Sequence, residues 1–392
     1  MSTVAWLRGT LGLVVLGFLP VLAAQHTERE RKRPRLPAGE DTNSAGAYYG
    51  YGLDQLRRVP ARAADAFYWA TRLEPGMPEP WYGLSAALSL AEPPERLGDY
   101  LGGVPYMAKD RQFLHIDSLR YKALIRNPML YLRLDALVLE EWVSRVTRGE
   151  ISIQELSSDF GPAMAAWWAY GTGRFVESIR QYAIAVAQHP KWYGLRADRA
   201  RAFLPLMQFD SAIATYNELL GLQQHAEEER LVHVYNSKEL VHFTIGRIRE
   251  TEGNYSAARE AYGRALTENL AFHPAHLAMA RLDLVTGDSA GAETEYDQTV
   301  QLDPTDAEAH YEFGILLVGR QRYEAAVEQF QLAVDNEPYF ARPYFPLALL
   351  RETEGKDSVA IAAYQRFIQI APANLNAQVE EARRHVAAAQ SH

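Results

Sequence analysis

The stretch Arg-Glu-Thr-Glu-Gly occurs twice, at Arg249–Gly253 and at Arg351–Gly355, with starting points 102 residues apart. That separation is three times 34, and a 34-residue period constrains the fold more than any other feature of the 392-residue chain. Blocks laid out at this spacing begin at Glu239, His273, Ala307 and Ala341. Their eighth positions hold Gly246, Ala280, Gly314 and Ala348, and their twentieth hold Ala258, Ala292, Ala326 and Ala360. Four residues further on the column reads Tyr262, Tyr296, Phe330 and Tyr364, and Pro304, Pro338 and Pro372 close three of the blocks. Toward the N-terminus the register returns in blocks starting at Tyr193 and Asp159. These carry Ala200 and Ala166, then Ala212 and Ser178, then Tyr216 and Tyr182 in the same columns, with Pro190 closing the earlier one. About 12 residues, near Glu227 to Lys238, interrupt the phase. Ala63, Phe67, Ala70 and Pro75 fit the second half of one more block, and Trp81-Tyr82-Gly83-Leu84 fits the opening of another.

The residue types at these columns predict two helices per block. Gly253-Asn254, Gly287-Asp288 and Gly355-Lys356 are breaker pairs that mark the turn between them. Small residues at the eighth and twentieth positions mark a close helix crossing, where a larger side chain would overpack at a cost of about 1–3 kcal/mol. The aromatic column is expected to fill the gap between neighbouring blocks. The closing proline ends the second helix, because it disfavours helical geometry in the residue before it. One helix pair cannot bury its apolar face alone, whereas stacked pairs can, and a small rotation per unit turns the stack into a superhelix with a concave side.

This pattern resembles the tetratricopeptide repeat, whose signature is W-x2-L-G-x2-Y, then A-x3-F, then a proline, over 34 residues. The resemblance covers about 270 residues and is strongest from Asp159 to Asn374. It implies an all-α, right-handed superhelical solenoid of antiparallel helix pairs, acting as a non-enzymatic interaction scaffold. The expected layout is a signal peptide or membrane anchor (1–24), a basic flexible linker (25–43) and N-terminal repeats (44–91). A divergent helical segment (92–158), two repeats (159–226), a helical extension (227–238), four repeats (239–374) and a capping helix (375–392) follow. In the last of these Leu375, Val379, Ala382 and Val386 share a face, with charges elsewhere.

In such arrays the concave groove is lined from the first helix of each block, at about its second, fifth, ninth and twelfth positions. The resemblance therefore implies a groove strip of Phe243, Leu277, Tyr311 and Phe345 at the fifth position, beside Arg201, Arg247 and Arg281 at the ninth. Such a surface suits a protein or peptide partner with acidic groups, held by apolar anchors and bidentate arginine–carboxylate bonds. The alternative at these positions is that the arginines pair with neighbouring glutamates and the aromatics pack between repeats. The family's peptide clamp for a C-terminal carboxylate needs lysine and asparagine, and Phe243 and Tyr311 stand where a lysine is wanted.

Composition narrows the function classes. A net charge of −9 argues against a nucleic-acid partner, since phosphate binding depends on clustered Lys and Arg. The absence of cysteine excludes disulfides, thiolate nucleophiles and Cys-ligated zinc. No H-E-x-x-H, phosphate-cradling G-x4-G-K-[ST] or G-x-S-x-G occurs, so no catalytic residue, cofactor or metal is expected. His273 and His276 lie three apart with His310 one repeat on, a spacing zinc would accept, but the fourth position of a block is a packing position. An enzyme housed in 92–158 would have Asp110, His115, Asp117 and Glu141 as its acid–base candidates, and these match no spacing rule.

At the N-terminus a single cation, Arg8, precedes an uncharged run from Gly9 to Ala24. That run is short of the ~20 residues of a bilayer-spanning helix. It ends Val21-Leu22-Ala23-Ala24, which predicts a secretory signal cleaved after Ala23 or Ala24 and a periplasmic or secreted protein. Five cations between Arg29 and Arg35 oppose translocation and leave open a single-pass anchored assembly factor with a cytoplasmic body. Membrane contact would then be confined to residues 1–35.

Overall fold

The computed structural model of the protein describes residues 30–91, 111–150, 161–225 and 237–390. Within these the secondary structure is helical, with 18 α-helices and no strand. The expected signal sequence, the candidate acid Asp110 and most of the predicted extension at 227–238 lie outside the described residues.

Helices associate in consecutive pairs. α1 (Ala45–Gln55) packs on α2 (Pro60–Leu73), and α3 (Pro78–Ala91) on α4 (Arg111–Arg126). A lone helix, α5 (Leu134–Thr147), packs against α3 and against the next pair, α6 (Gly161–Gly171) with α7 (Phe175–Gln188). Then come α8 (Tyr193–Phe203) with α9 (Phe209–His225), α10 (Lys238–Thr251) with α11 (Tyr255–Glu268), and α12 (His273–Thr286) with α13 (Ser289–Leu302). The array ends with α14 (Ala307–Gly319) and α15 (Tyr323–Asn336), α16 (Tyr344–Thr353) and α17 (Asp357–Ile370), and the closing helix α18 (Asn376–Gln390), which packs on α17. This is an all-α solenoid of helix pairs in the expected phase. One boundary differs: α4, expected in a divergent segment, is the second helix of the pair that α3 opens. Its place in a pair is not visible in the 34-residue period, because 19 residues, 92–110, stand between it and α3 in the sequence.

Where the eighth position is glycine it faces the aromatic ring of the same pair's second helix, at the close crossing that small residues predict. The aromatic column also reaches the next block, where Tyr296 stacks on Phe313 with centroids 5.8 Å apart. A Cβ at Gly246 would lie 2.3 Å from Tyr262 Cε1, and one at Gly314 would lie 2.5 Å from Phe330 Cε1. At the N-terminal end, Phe67 is pressed between Gly52 of its own pair and Gly83 of the next, at 2.6 and 2.7 Å from their ideal Cβ positions. The rings of Tyr182, Tyr262, Tyr296, Phe330 and Tyr364 are all buried.

Two further devices recur with the period. The fifteenth position of all six blocks from Asp159 onward takes a left-handed backbone: Gly173, Met207, Gly253, Gly287, Gln321 and Gly355 have φ between 55° and 87°. Glycine suits that conformation because it has no Cβ to meet the following carbonyl. At the fourth position a polar side chain reaches the carbonyl six residues back, just past the end of the preceding second helix. Trp81 Nε1 donates to Pro75 O (3.0 Å), Arg196 Nη1 to Pro190 O (2.6 Å) and Tyr344 Oη to Pro338 O (3.2 Å). His276 Nε2 and His310 Nε2 do the same to Leu270 O and Pro304 O, both at 3.1 Å. Each bond occupies a carbonyl two residues past the end of the preceding second helix, in the turn that joins one pair to the next.

Two stability measurements check this account. Gly246→Ala should lower the urea midpoint by an amount equivalent to about 1–3 kcal/mol, because overpacking against Tyr262 outweighs the ~1 kcal/mol that alanine gains in helix propensity. Gln321→Gly should instead stabilise the chain by about 1 kcal/mol, by relieving the left-handed strain.

Candidate interaction site: the concave wall

The first helices of the last four pairs, α10, α12, α14 and α16, carry the positions expected to line a groove. In the structure that wall faces the chain's own N-terminal elements. Asp41 Oδ2 accepts from the Ala373 amide at 2.8 Å, and Asn43 Nδ2 donates to the carbonyls of Gln369 (3.0 Å) and Ala371 (3.2 Å). The Trp69 ring meets Tyr339 edge-on with centroids 4.8 Å apart. Arg72 pairs with Glu337 and lies over the Tyr339 ring, while Glu74 pairs with Arg342. Farther along, Arg126 lies 3.7 Å from the Asp306 carboxylate, and Tyr121 and Ile125 pack against the cluster that holds Phe243 and Ala278. Residues 41–43 thus meet the end of α17 at 369–373, residues 69–74 meet 337–342, and the end of α4 at 121–126 meets the stretch from Phe243 to Asp306, bringing together residues up to 332 apart in sequence.

This contact also changes the reading of the described part of the 25–43 stretch. The stretch expected as a flexible linker is held at its far end by Asp41 and Asn43, and Leu36 is buried in the N-terminal core. Arg33 stacks over Trp69 with its Cζ 4.7 Å from the ring centre.

Of the residues proposed from the sequence, Phe243, Arg247, Leu277 and Arg281 line one narrow cleft, whose opposite side is formed by Gly76, Ile125 and Arg126. Arg201, Tyr311 and Phe345 lie outside it. None of the three arginines offers an open head. Arg201 is 9% exposed and donates to Asp198 at 3.1 Å, and Arg247 donates to Glu250 at 2.8 Å. Arg281 makes a bidentate pair with Glu312 of the next repeat, at 2.7 and 2.8 Å. The aromatics serve the packing: Phe243 contacts Tyr262 and Phe272, Tyr311 contacts Phe330 and Phe340, and Phe345 contacts Tyr364 and Phe367.

Sequence reasoning missed the acidic centre of the cleft. Asp306 caps α14, accepting from the amides of Glu308 (3.0 Å) and Ala309 (3.2 Å). Burial opposes its charge, but the Arg126 guanidinium and the Ala309 amide outweigh burial and hold its carboxyl below the usual range. Glu308, two residues on, goes the other way. Burial first, and then the neighbouring Glu312 charge, push its pKa up to about 8. Its side chain is packed against Gly76, where an added Cβ would lie 2.9 Å from Glu308 Cδ, and its Oε2 has no hydrogen-bond partner. Arg342 Nη1 is 3.5 Å from Oε1, beyond good hydrogen-bond range, and is itself engaged by Glu74, so it offsets little of the burial. In the sequence, Asp306 and Glu308 look like an ordinary helix start. Nothing in a single chain pairs Arg126 with a residue 180 positions away.

The other candidate chemistries do not gather. Both ring nitrogens of His276 are occupied, Nδ1 by Glu295 Oε2 at 2.7 Å and Nε2 by a carbonyl, and His310 is held likewise by Gln329 at 2.7 Å. Among the described residues no group of three or more His, Asp or Glu side chains is placed to hold a metal ion. His115 is exposed on α4, and Glu141 on α5 pairs with Arg145 and Arg148. No described helix is long and apolar enough to cross a membrane.

Comparison with known proteins agrees with the periodicity. Residues 277–339 and 311–374, together about a quarter of the chain, match the tetratricopeptide-repeat family. No curated protein sequence matches the chain. Among solved structures, the C-terminal part of a tetratricopeptide repeat-containing protein from Cytophaga hutchinsonii is similar, with a TM-score of 0.45 and 17% identity, covering 58% of this chain and 86% of that one. YrrB, a tetratricopeptide protein with an unusual peptide-binding site, has a TM-score of 0.40 at 16% identity, covering 52% of this chain and 97% of its own. The hetero-tetramer Cut9–Hcn1 of the APC/C has a TM-score of 0.40 at 13% identity, covering 86% and 76%. At these identities the likeness concerns fold alone.

The buried carboxyl makes a prediction about pH. Glu308 keeps its proton in the folded chain up to about pH 8, while the unfolded chain loses it near the ordinary 4.5. Its contribution is therefore complete below that lower value and declines as pH rises through the window, with a slope limit of about 1.4 kcal/mol per pH unit. Urea titrations between pH 4.5 and 8 should show this decline in the wild type and a flatter profile in Glu308→Gln.

Proposed function

We propose that this chain, with tetratricopeptide repeats over residues 277–374, is an exported interaction scaffold that holds a partner subunit or peptide on its concave wall. The observation that carries the reading is that the wall already grips a polypeptide, the chain's own N-terminal elements. It does so with stacked aromatics, arginine–carboxylate pairs and backbone hydrogen bonds. These are the contacts by which helical-repeat surfaces recognise peptides in general. Repeat-built walls are extended and continuous, a form suited to recognition of a long segment.

The reading includes export with cleavage after Ala23 or Ala24. Five cations directly after the apolar run favour a second reading, in which residues 1–35 anchor the chain and the body stays in the cytoplasm. A C-terminal reporter, with mass analysis of the mature N-terminus, decides between them. Export predicts a mature chain beginning at Ala24 or Gln25, a reporter active outside the cytoplasm, and capture of a specific partner from that compartment. An intact N-terminus with a cytoplasmic reporter would replace export by the anchored reading, and the absence of any specific partner in either compartment would overturn the scaffold.

A further inference from the structure

We infer that the concave wall formed by α12, α14 and α16 is a binding surface for a basic segment of a partner protein. The chain's own α2–α3 turn and the end of α4 hold that place until such a segment displaces them. This rests on the scaffold reading and narrows it to one class of partner.

Charge sets the class. Around the cleft the repeat side supplies the carboxylates of Glu250, Asp306, Glu312 and Glu337 and the protonated carboxyl of Glu308, against three cations, Arg247, Arg281 and Arg342. Arg247 is consumed by Glu250 and Arg281 by Glu312 within the wall, and Arg342 is held by Glu74 from the N-terminal side, which leaves Asp306, Glu337 and Glu308 facing outward. Two cations of the N-terminal side, Arg72 and Arg126, answer the acids at Glu337 and Asp306. The wall therefore already receives arginine, contrary to the acidic partner expected from the arginine column.

The present occupant leaves the wall unsatisfied. Glu308 is 8% exposed and its Oε2 has no hydrogen-bond partner. A buried polar atom in that state costs free energy that a cationic head placed against it would recover. The occupant offers a glycine there, and Gly76 approaches so closely that no side chain fits between its backbone and the carboxyl.

Displacement does not require unfolding. The opposite face of α4, with Ile116, Leu119, Ala123 and Leu124, is buried in the N-terminal core together with α1, α2 and α3. The seam between that core and the wall is mostly ion pairs and side-chain-to-backbone hydrogen bonds, with the Trp69–Tyr339 contact and the packing of Tyr121 and Ile125 on the Phe243 cluster as its apolar part. Contacts of this polar kind are typical of interfaces that open and close.

The experiment uses the full chain. Because it has no cysteine, Glu40→Cys/Asn374→Cys places a donor and an acceptor dye on exposed sites beside the Asp41–Ala373 contact. Arg72→Glu/Arg126→Glu reverses the two seam cations without touching the wall. The probes are a synthetic peptide of residues Leu119–Asn127 and the same peptide with Arg120, Lys122 and Arg126 replaced by glutamate. Energy transfer should fall in the charge-reversed variant, and the basic peptide should bind it at least about tenfold tighter than wild type, near the lower end of couplings between linked sites. The acidic peptide should bind neither.

If the double reversal fails to fold, Gly76→Val pushes the turn off Glu308 without a charge change and must give the same result. Unchanged energy transfer in the folded variants, or equal binding of both peptides, overturns the inference. Partner capture that is unaffected by seam opening and not competed by the basic peptide leaves the scaffold reading standing and overturns this one. Peptide binding as expected with no partner captured from the cell does the reverse.

Discussion

The contact on which the rest depends is an aromatic ring seated on a residue with little or no side chain. At Gly246 and Gly314 the ring lies where a Cβ would be, so each helix pair closes to a distance that one methyl group would prevent. Packing at interior density leaves no slack for a larger residue there. Repeated at equal intervals, the contact makes the pairs near-identical, and near-identical pairs stack into an array with one inner wall. The left-handed turn at the fifteenth position and the fourth-position hydrogen bond act on the same geometry. One sets how the two helices of a pair meet, and the other fixes how each pair joins the pair before it.

The wall that results is not bare. Its acids face cations contributed from the other end of the chain, and around these ion pairs Tyr121, Ile125 and Tyr339 carry apolar packing across the seam. These pairs are largely buried, so the cost of desolvating both partners offsets much of their attraction. Their effect is to select which segment lies in the groove and to hold it in register. Glu308 stands apart from that balance, because it is buried with one oxygen unanswered. The concave wall is thus complementary in shape to what occupies it and incompletely complementary in charge.

Sequence reasoning went far on the repeats and stopped at the site. The pairs from Gly161 to Ile370 fall where the columns place them, because the constraint is local: each ring meets a residue about 16 positions away. α4 falls in the segment expected to be helical, but its pairing with α3 was not legible because its distance from α3 breaks the period. The arginine column was read as an open surface, yet Arg201, Arg247 and Arg281 each have a carboxylate within reach, at Asp198, Glu250 and Glu312. Those acids are visible in the sequence, and the alternative pairing was legible there. What decided between the two was side-chain direction, which spacing alone does not supply.

By itself, then, the sequence determined that the chain would form stacked helix pairs, where their crossings fall and which residues turn between them. These are short-range matters, governed by the size of one side chain and the sign of one dihedral angle. The tertiary structure alone decided what the inner wall touches. Placing Arg126 on Asp306 and Trp69 on Tyr339 depends on the curvature accumulated over every intervening pair. A small rotation at each pair is invisible in any one repeat, and only its sum brings the two ends of the array together.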